Sequence, residues 1–506
     1  MSDRLRAGIW VFAILLPSAG FFQHSRDWNT ASRLMLTYAL VDRGTLSING
    51  LENQTGDKAV QGGRFYSDKL PGYSFLAAGP YATVKLALGL PPHPLGGPAI
   101  AHFASDAWVA FLTSGLLTAA TGALIAGASV SLGVGPRTAV AIGLAYGLAT
   151  PAALYAGLAY GHQPCAFALF AAFLLIARPP SPGRERAVAL LAGLLASYAS
   201  VIELQVGPVS AILGFQILGL VLARRRPASM LAWFALGAAI PAMFMCLYHY
   251  LAFGSPFTLG YFLHAEPRFR AVHSASNPLG VAAIDWSLAD DLLWGTRRGL
   301  IVHAPITALA PLGFIALARR GRWSEAIAAP AICAAVFLVN LSYPEWTGGW
   351  STGPRLLLPL LPFAMLGVAG FAAVAGRLAS TAIAALGILG WFIMLAFVGV
   401  GGRIPEQSGI PGGPDPFAFP LRDVLPPIWS GGPVPGWLFG RRFAKNLVEI
   451  AFPEWVGGLS HDQAWLQFVP LVGFQAVMVV LMLVALRPNH QAASDSAPEP
   501  QAASTD

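Results

Sequence analysis

The chain has 506 residues, of which 55% are hydrophobic and only 11% are charged. A water-soluble protein of this length does not carry so large an apolar fraction, so the composition excludes a soluble globular protein and indicates a membrane protein. The formal net charge of +7 comes from short basic clusters between apolar runs, as in the loops of membrane proteins. We therefore expect no nucleic-acid partner.

The apolar runs predict membrane-spanning helices, because only helices satisfy the backbone of a single segment inside lipid and a crossing takes roughly 20 apolar residues. Placing the arginine-rich loops in the cytoplasm gives about twelve crossings, with eleven to fourteen as the range, and both termini cytoplasmic. The predicted crossings lie near 8–22, 106–131, 138–157, 164–178, 187–204, 208–223, 229–252, 300–318, 326–342, 356–376, 379–400 and 466–486.

The run 70–92 is apolar enough to cross, but a crossing there would move every later arginine cluster outside. We predict that it lies in the interface or re-enters the membrane. The sequence thus predicts one polytopic membrane domain over 1–487 and a disordered cytoplasmic tail over 488–506, which is rich in Ala, Ser, Pro and acidic residues. Three long outer loops are expected to carry function: 23–105, 253–299 and 401–465.

The first outer loop opens with a predicted amphipathic helix. Apolar residues recur at helical spacing from Trp28 to Val41, while Thr30, Arg33 and Thr37 fall on another face. This pattern predicts a helix that rests on the membrane surface. Asp27 stands just before it, either as its N-cap or as a functional carboxylate.

Acidic and basic residues alternate along the rest of this loop. Asp57 is followed by Lys58, and Asp68 by Lys69. A carboxylate at a membrane surface can take a proton from a hydroxyl while nearby cations hold a phosphate. We interpret Asp27, Asp57 and Asp68 as candidate bases and the two lysines as candidate phosphate ligands; ordinary solvated charges are the alternative.

Three arginines stand at predicted outer helix ends, against the positive-inside pattern. Arg355 ends the segment YPEWTGGWSTGPR, and Arg297 and Arg298 belong to LLWGTRRGL. A cation in such a position needs an anionic partner, such as a lipid phosphate. Glu345 and Trp350 accompany Arg355 and are candidate substrate contacts, although tryptophan at this depth is also an ordinary interfacial anchor.

Two further ionisable residues lie at predicted outer helix ends: His162 in AYGHQP and Glu203 in VIELQ. Such groups are candidates for substrate binding, with a helix-end histidine bonded to a carbonyl as the alternative. No CxxC or HExxH spacing occurs, and the three cysteines lie within apolar runs as expected for core residues. We expect no cofactor, and a divalent metal is left open.

Several motifs together resemble the GT-C superfamily of membrane glycosyltransferases, and within it the bacterial members of the protein mannosyltransferase and aminoarabinose transferase group. The resemblance covers roughly residues 8–365. The segments that carry it are RDWNTASRLMLTYAL, FYSDKLPGYSF, AFGSPFTLGY, GTRRGLIVHAP and EWTGGWSTGPRLLLPLLP.

The resemblance implies an all-α polytopic fold in the bacterial inner membrane. It implies an enzyme that moves a sugar, with inversion, from a polyprenyl-phosphate-linked donor to a lipid, glycan or protein acceptor on the periplasmic side. Asp27 would be the base, Lys69 would contact the donor phosphate, and Tyr66 would contact substrate. Trp28 and Asn29 stand where the family commonly has a second acid, so the choice among Asp27, Asp57 and Asp68 stays open.

Two other function classes compete with glycosyl transfer. A transporter or flippase of a lipid-linked or small solute is expected to place ionisable groups near mid-membrane and to show internal repeats. We find no repeat, and the ionisable groups gather on one predicted side. A non-catalytic scaffold whose outer loops bind a partner is the third class.

Overall fold

The computed structural model describes residues 1–93, 99–401, 404, 419–438 and 440–487. The tail predicted over 488–506 lies outside the described residues, as does most of 402–418. The described chain is an all-α polytopic membrane protein with two small two-stranded sheets. Among the described residues, eight helices are long and apolar enough to cross a membrane.

The longer helices are Asp3–Phe21, Trp28–Arg43, Gly72–Leu88, Ala99–Ala110, Leu116–Ser131, Pro136–Leu148, His162–Ala177, Glu185–Ile202, Gly207–Leu222, Ser229–Phe253, Ala310–Arg319, Trp323–Leu341, Leu361–Val400 and Val469–Ala485. The shorter α-helices are Ala152–Tyr155, Pro267–Arg270, Leu288–Leu293, Leu300–His303, Leu425–Trp429, Leu447–Ala451 and Pro453–Gly457. The strands are Phe22–Gln23, Lys58–Gln61, Arg64–Ser67 and Lys445–Asn446.

Every predicted crossing coincides with helical structure. The helix Leu361–Val400 accounts for two of them, because Gly376 has a φ of 53° and breaks it into two segments. The shorter apolar helices His162–Ala177 and Pro305–Arg319 account for two more. The fold predicted from apolar runs and arginine clusters is therefore confirmed as a helical multi-pass architecture.

The arginine clusters meet at one end of the bundle. Arg4, Arg178, Arg225 and Arg322 surround a common cavity although they belong to four separate loops or termini. The helix His162–Ala177 has its last residue at this cavity and its first residue at a much larger cavity on the other side. At 1.5 Å per residue, these 16 residues separate the two ends by about 24 Å.

The helix Trp28–Arg43 forms as predicted, but its polar face does not lie in water. Every residue from Thr30 to Ala39 is buried, and the side chain of Arg33 is fully enclosed. Arg33 pairs with Glu203 at 2.5 Å, and Ser74 donates to its carbonyl oxygen at 2.8 Å. The helical period predicted this helix correctly. Its predicted position on the membrane surface is wrong, because neighbouring helices cover its polar face.

The apolar run 70–92 contains the helix Gly72–Leu88, which begins beside the large cavity. Tyr73 shares a hydrogen bond of 2.8 Å with Thr113, and Trp108 donates to Thr83 at 3.1 Å. Because the earlier residue of Gly72–Leu88 contacts the later residue of the helical stretch 99–115, the two helices are antiparallel. The stretch 99–115 continues as Leu116–Ser131, which reaches the arginine end. The helix Gly72–Leu88 therefore leads away from the arginine end and does not run back through the bundle.

A β-hairpin, which the sequence analysis did not predict, interrupts the first loop. Lys58–Gln61 pairs antiparallel with Arg64–Ser67, and Gly62 and Gly63 form the turn with φ of 55° and 72°. Positive φ at both turn residues favours glycine and matches the twist of the two strands. The register pairs Lys58 with Ser67, so the next residues outward, Asp57 and Asp68, face each other.

Candidate active site

A cavity of about 1100 Å³ opens at the end of the bundle opposite the arginine clusters; we call it the outer cavity. Its walls come from the first loop, the start of the helix His162–Ala177, the loop 253–299 and the segment 343–355. A volume of this size accommodates a small-molecule substrate. The predicted site residues that line it are Asp27, Asp57, Asp68, Lys69, His162, Glu203, Glu345, Trp350 and Arg355.

Asp27 both caps a helix and faces the cavity. Its Oδ1 accepts hydrogen bonds from the Thr30 amide at 2.8 Å and the Thr30 hydroxyl at 2.9 Å, which makes it the N-cap of Trp28–Arg43. Its Oδ2 accepts a hydrogen bond from the hydroxyl of Tyr160. A carboxylate can accept about four hydrogen bonds. The described partners make three, so Oδ2 can accept one more.

Tyr160 connects Asp27 to Arg355. The guanidinium carbon of Arg355 lies 4.6 Å from the centroid of the Tyr160 ring, a distance typical of a cation–π contact. Within the described part of the chain, the Arg355 side chain has no acidic partner, and its Nε is buried without a hydrogen bond. The Asp27 carboxylate and the Arg355 guanidinium are thus separated by about one tyrosine ring.

Lys69 holds the two facing carboxylates of the hairpin. Its Nζ lies 2.8 Å from Asp57 and 2.7 Å from Asp68, and the side chain is only 12% exposed. Ser32 donates to the other oxygen of Asp68 at 3.0 Å. Like charges that face each other across a hairpin repel, so the ammonium between them is what makes the pair stable.

His264 completes this cluster from a distant loop. Its Nδ1 accepts the Glu266 amide at 2.9 Å, so the proton of the neutral ring lies on Nε2. That Nε2 is 3.8 Å from Asp57 and 3.7 Å from Asp68. The loop is fixed by a backbone bridge between His264 and Ala59 of the hairpin.

The charges in this cluster shift one another's protonation. Burial alone raises the pKa of Asp57, but Lys69 and His264 outweigh it and hold that pKa well below the ordinary range. Burial lowers the pKa of Lys69, but Asp57 and Asp68 together raise it well above its usual value. Asp57 is therefore a weak base while Lys69 is in place.

His162 and Glu203 close the floor of the cavity. The His162 ring stacks on that of Tyr160 with centroids 5.8 Å apart. Glu203 pairs with the enclosed Arg33 and so links the first-loop helix to the end of the helix Glu185–Ile202. Its first role is therefore to neutralise a buried cation, since an unpaired charge there would be strongly destabilising.

At the mouth of the cavity, Glu345 forms an ion pair with Arg268 at 2.9 Å. The Arg268 side chain is 54% exposed, so this pair contributes little to stability. It joins the loop 253–299 to the segment 343–355, which also brings Trp350 into the lining. The rim is therefore built from two loops that the sequence analysis treated separately.

Four predicted site residues are not among the described residues that line the cavity: Arg297, Arg298, Lys58 and Tyr66. Arg298 is buried and donates to the backbone carbonyls of Thr347 and Gly349, so it fixes the segment 343–355 and does not face a phosphate.

The hairpin residues among these four point elsewhere. Lys58 donates to the Glu52 carbonyl at 2.8 Å and lies over the Phe65 ring. Tyr66 packs on Phe253 with ring centroids 5.3 Å apart. Strand alternation explains the position of Lys58, because it follows Asp57 directly and neighbouring residues of a strand point to opposite faces.

Among the site residues that sequence reasoning missed are Tyr160, which joins Asp27 to Arg355, and the cavity-lining residues Tyr261 and His264. Tyr160 lies two residues before His162 in the AYGHQP motif, so that motif did point to its neighbourhood. The paired glycines between KAVQ and RFYS are a hairpin signal that predicts Asp57 opposite Asp68. His264 gave no local signal, because only the long-range bridge to Ala59 brings it to the site.

In the described ranges, no group of three or more His, Cys, Asp or Glu side chains is placed to hold a metal ion.

We predict that Lys69→Met lowers the stability of the protein in a pH-dependent way. At neutral pH it leaves two carboxylates facing each other, at a cost of roughly 3 kcal/mol. Because the pKa of Asp57 is depressed and that of Lys69 is raised, the stabilisation is complete between about pH 4 and pH 10. The stabilisation is lost below that window as Asp57 protonates, and above it as Lys69 deprotonates.

The measurement is the thermal unfolding midpoint of detergent-solubilised wild type and variant as the pH is lowered from 7 to 2. The difference between them is expected to persist down to about pH 4 and to shrink below it. Lys58→Met is the matched control, because Lys58 bonds a carbonyl oxygen and has no carboxylate partner in the described chain. A Lys69→Met difference that stays constant with pH contradicts the proposed ion cluster.

No protein-family model and no curated protein matches the chain. The structure is similar to that of ArnT from Cupriavidus metallidurans in the apo state, with a TM-score of 0.46, 16% identity, and coverage of 94% of this chain and 73% of that one. The same protein bound to undecaprenyl phosphate gives a TM-score of 0.46, 13% identity, and coverage of 94% and 76%.

Proposed function

We propose that the protein is a membrane glycosyltransferase that moves a sugar from a polyprenyl-phosphate-linked donor to a hydroxyl of a cell-envelope acceptor. The observation that carries the proposal is the pairing, through Tyr160, of the Asp27 carboxylate with an arginine that lacks an anionic partner in the described chain. Transfer from a phosphate needs both a proton acceptor and a cation for the departing phosphate.

Asp27 is the carboxylate best suited to act as the base. Asp57 and Asp68 are each bound to Lys69 at 2.8 Å or less, and that cation lowers the pKa of Asp57. Asp27 is bonded only by neutral donors among the described residues, namely the Thr30 amide and hydroxyl and the Tyr160 hydroxyl. Asp27 itself lines the outer cavity.

In the proposed reaction, Asp27 takes the proton of the acceptor hydroxyl as its oxygen attacks the anomeric carbon. A carbon–oxygen bond to the acceptor forms while the bond between the anomeric carbon and the donor phosphate breaks. The phosphate oxygen leaves with the electron pair. Arg355 neutralises the charge that develops there, and attack from the face opposite the phosphate inverts the anomeric carbon.

Lys69 has a smaller part in this scheme than the family resemblance implied. Two of its three N–H donors are directed at Asp57 and Asp68, and the cluster as a whole carries more negative than positive charge. Such a cluster repels a phosphate. It suits hydroxyl groups, which carboxylates bind as hydrogen-bond acceptors, so we assign it to the sugar and Arg355 to the phosphate.

We also propose that the outer cavity faces the periplasm and that both termini face the cytoplasm, as the positive-inside pattern predicts. The arginine clusters lie at the other end of the helices that bound the cavity. A donor anchored by its polyprenyl chain would then present its phosphate at the outer helix ends.

The first test is Asp27→Asn. Asparagine caps a helix as well as aspartate does, so the unfolding midpoint is expected to stay near that of the wild type. Glycosyl transfer is expected to fall by about 10² or more, because the base is lost. The measurement is product formed by purified protein from polyprenyl-phosphate sugars and cell-envelope acceptors.

Asp27→Ser is the control for the cap, because serine also accepts the Thr30 amide but carries no charge. Both variants are expected to be inactive and folded. Full transfer by either variant contradicts the assignment of Asp27. Uptake of donor without any product, in wild type and variants alike, would favour a transporter.

The second test is Arg355→Ala. Loss of charge-assisted bonds to a phosphate is expected to raise the KM for the donor by about 10- to 100-fold, with a smaller effect on the KM for the acceptor. Arg64→Ala is the matched control, because Arg64 is exposed at the hairpin turn and is not part of the described cavity lining. Equal donor KM values in both variants refute the role of Arg355.

The third test separates the two contacts of Tyr160. Tyr160→Phe removes the hydroxyl that bonds Asp27 but keeps the ring under Arg355, so kcat is expected to fall about tenfold with the donor KM unchanged. Tyr160→Leu also removes the ring and is expected to raise the donor KM about fivefold. If both variants change the same constant by the same factor, Tyr160 does not position the two groups separately.

A further inference from the structure

A second cavity, of about 540 Å³, lies at the arginine end of the bundle; we call it the arginine cavity. It lies between the ends of helices from the N-terminal, central and later parts of the chain. Its charged lining residues are Arg4, Arg178, Arg225, Arg226, Arg322 and Glu325.

The charges of the arginine cavity are unbalanced. Glu325 is the one acidic residue among its described lining residues, and it pairs with Arg322. The side chains of Arg4, Arg178 and Arg225 make no ion pair with any described residue. Arginines that merely mark separate cytoplasmic loops are expected to extend independently into water, whereas these converge on one open cavity.

Arg226 provides a second, independent observation. Its Nε is buried without a hydrogen-bond partner, and burial lowers the pKa of its guanidinium. Its NH1 donates to the carbonyl oxygen of Arg225 at 3.0 Å. A partly dehydrated guanidinium with an unused donor is costly in a folded protein unless an anion occupies the space beside it.

The backbone directs this pair of arginines towards the cavity. Arg224 has a φ of 56°, the left-handed conformation that L-residues other than glycine seldom adopt. It ends the helix Gly207–Leu222, and the Arg225 amide returns to the Leu220 carbonyl at 2.9 Å. The turn therefore places Arg225 and Arg226 in the cavity lining together with Leu220.

The depth of the cavity matches that of a lipid headgroup. Trp323 lines it and is 53% exposed at the start of the apolar helix Trp323–Leu341. Tryptophan in such a position marks the interface between the hydrocarbon and the headgroups. An anion at this depth, beside an apolar helix end, is most simply the phosphodiester of a membrane lipid.

We propose that the arginine cavity binds the headgroup of an anionic phospholipid. The site is separate from the proposed donor site, because the helix His162–Ala177 has one end at each cavity. The bound lipid would supply the anion that Arg225 and Arg226 lack and would hold together the helix ends that surround it.

The test is native mass spectrometry of the full-length protein taken from mixed micelles of phosphatidylglycerol and phosphatidylcholine. The wild type is expected to retain phosphatidylglycerol selectively. The double variant Arg225→Gln, Arg226→Gln is expected to bind that lipid about 30-fold more weakly, because each lost arginine near a lipid headgroup weakens binding by about fivefold. Arg184→Gln, Arg186→Gln is the matched control, because both residues are exposed and lie outside the described cavity lining.

A second variant tests whether weaker lipid binding by the glutamine variant comes from misfolding or inverted insertion. Arg225→Lys, Arg226→Lys keeps the positive charge of the loop but loses the planar, bidentate donor pair, so it is expected to fold and to bind phosphatidylglycerol more weakly than the wild type. Equal retention by the lysine variant and the control pair refutes the site. Displacement of the lipid by inorganic phosphate shows a free-phosphate site instead and also overturns the proposal.

Discussion

A single buried ammonium group organises the outer end of this protein. Lys69 neutralises two carboxylates that the hairpin register forces to face each other, Asp57 and Asp68. The same hairpin receives the loop 253–299 through the bridge between Ala59 and His264. Removing the ammonium would set two like charges at the point where both loops meet. The walls of the outer cavity therefore depend on an electrostatic balance as much as on apolar packing.

The cations around the outer cavity differ in whether the protein already supplies their partners. Arg33 is committed to Glu203, and Arg298 to backbone carbonyls of the segment 343–355. Lys69 is shared between two acids. Arg355 instead lies against an aromatic ring and forms no ion pair with an acid of the described chain. A guanidinium at a membrane surface that is not neutralised by the protein is suited to a phosphate.

The fold was largely predictable because its main signal is local. Apolar length and arginine position determine where a helix crosses, and each predicted crossing is helical. The buried polar face of Trp28–Arg43 was not predictable, because helical period reveals two faces but not what covers them. In the site, Asp27 and Arg355 were found from their positions at helix ends, whereas His264 depends on pairing between residues about 200 apart, for which one sequence carries no signal.

The two ends of the bundle use charge in different ways, and the membrane between them explains why. The lining of the outer cavity mixes six acidic residues with arginines and a lysine, so a proton acceptor and an anion-binding group are close together, as group transfer from a phosphate requires. The described lining of the arginine cavity has one acid, already paired with Arg322. Without a free carboxylate it has no proton acceptor, so it is suited to holding an anion and not to reacting with one. Because a charge inside the hydrocarbon is costly, both functions are confined to the helix ends, where the same apolar helices keep them apart.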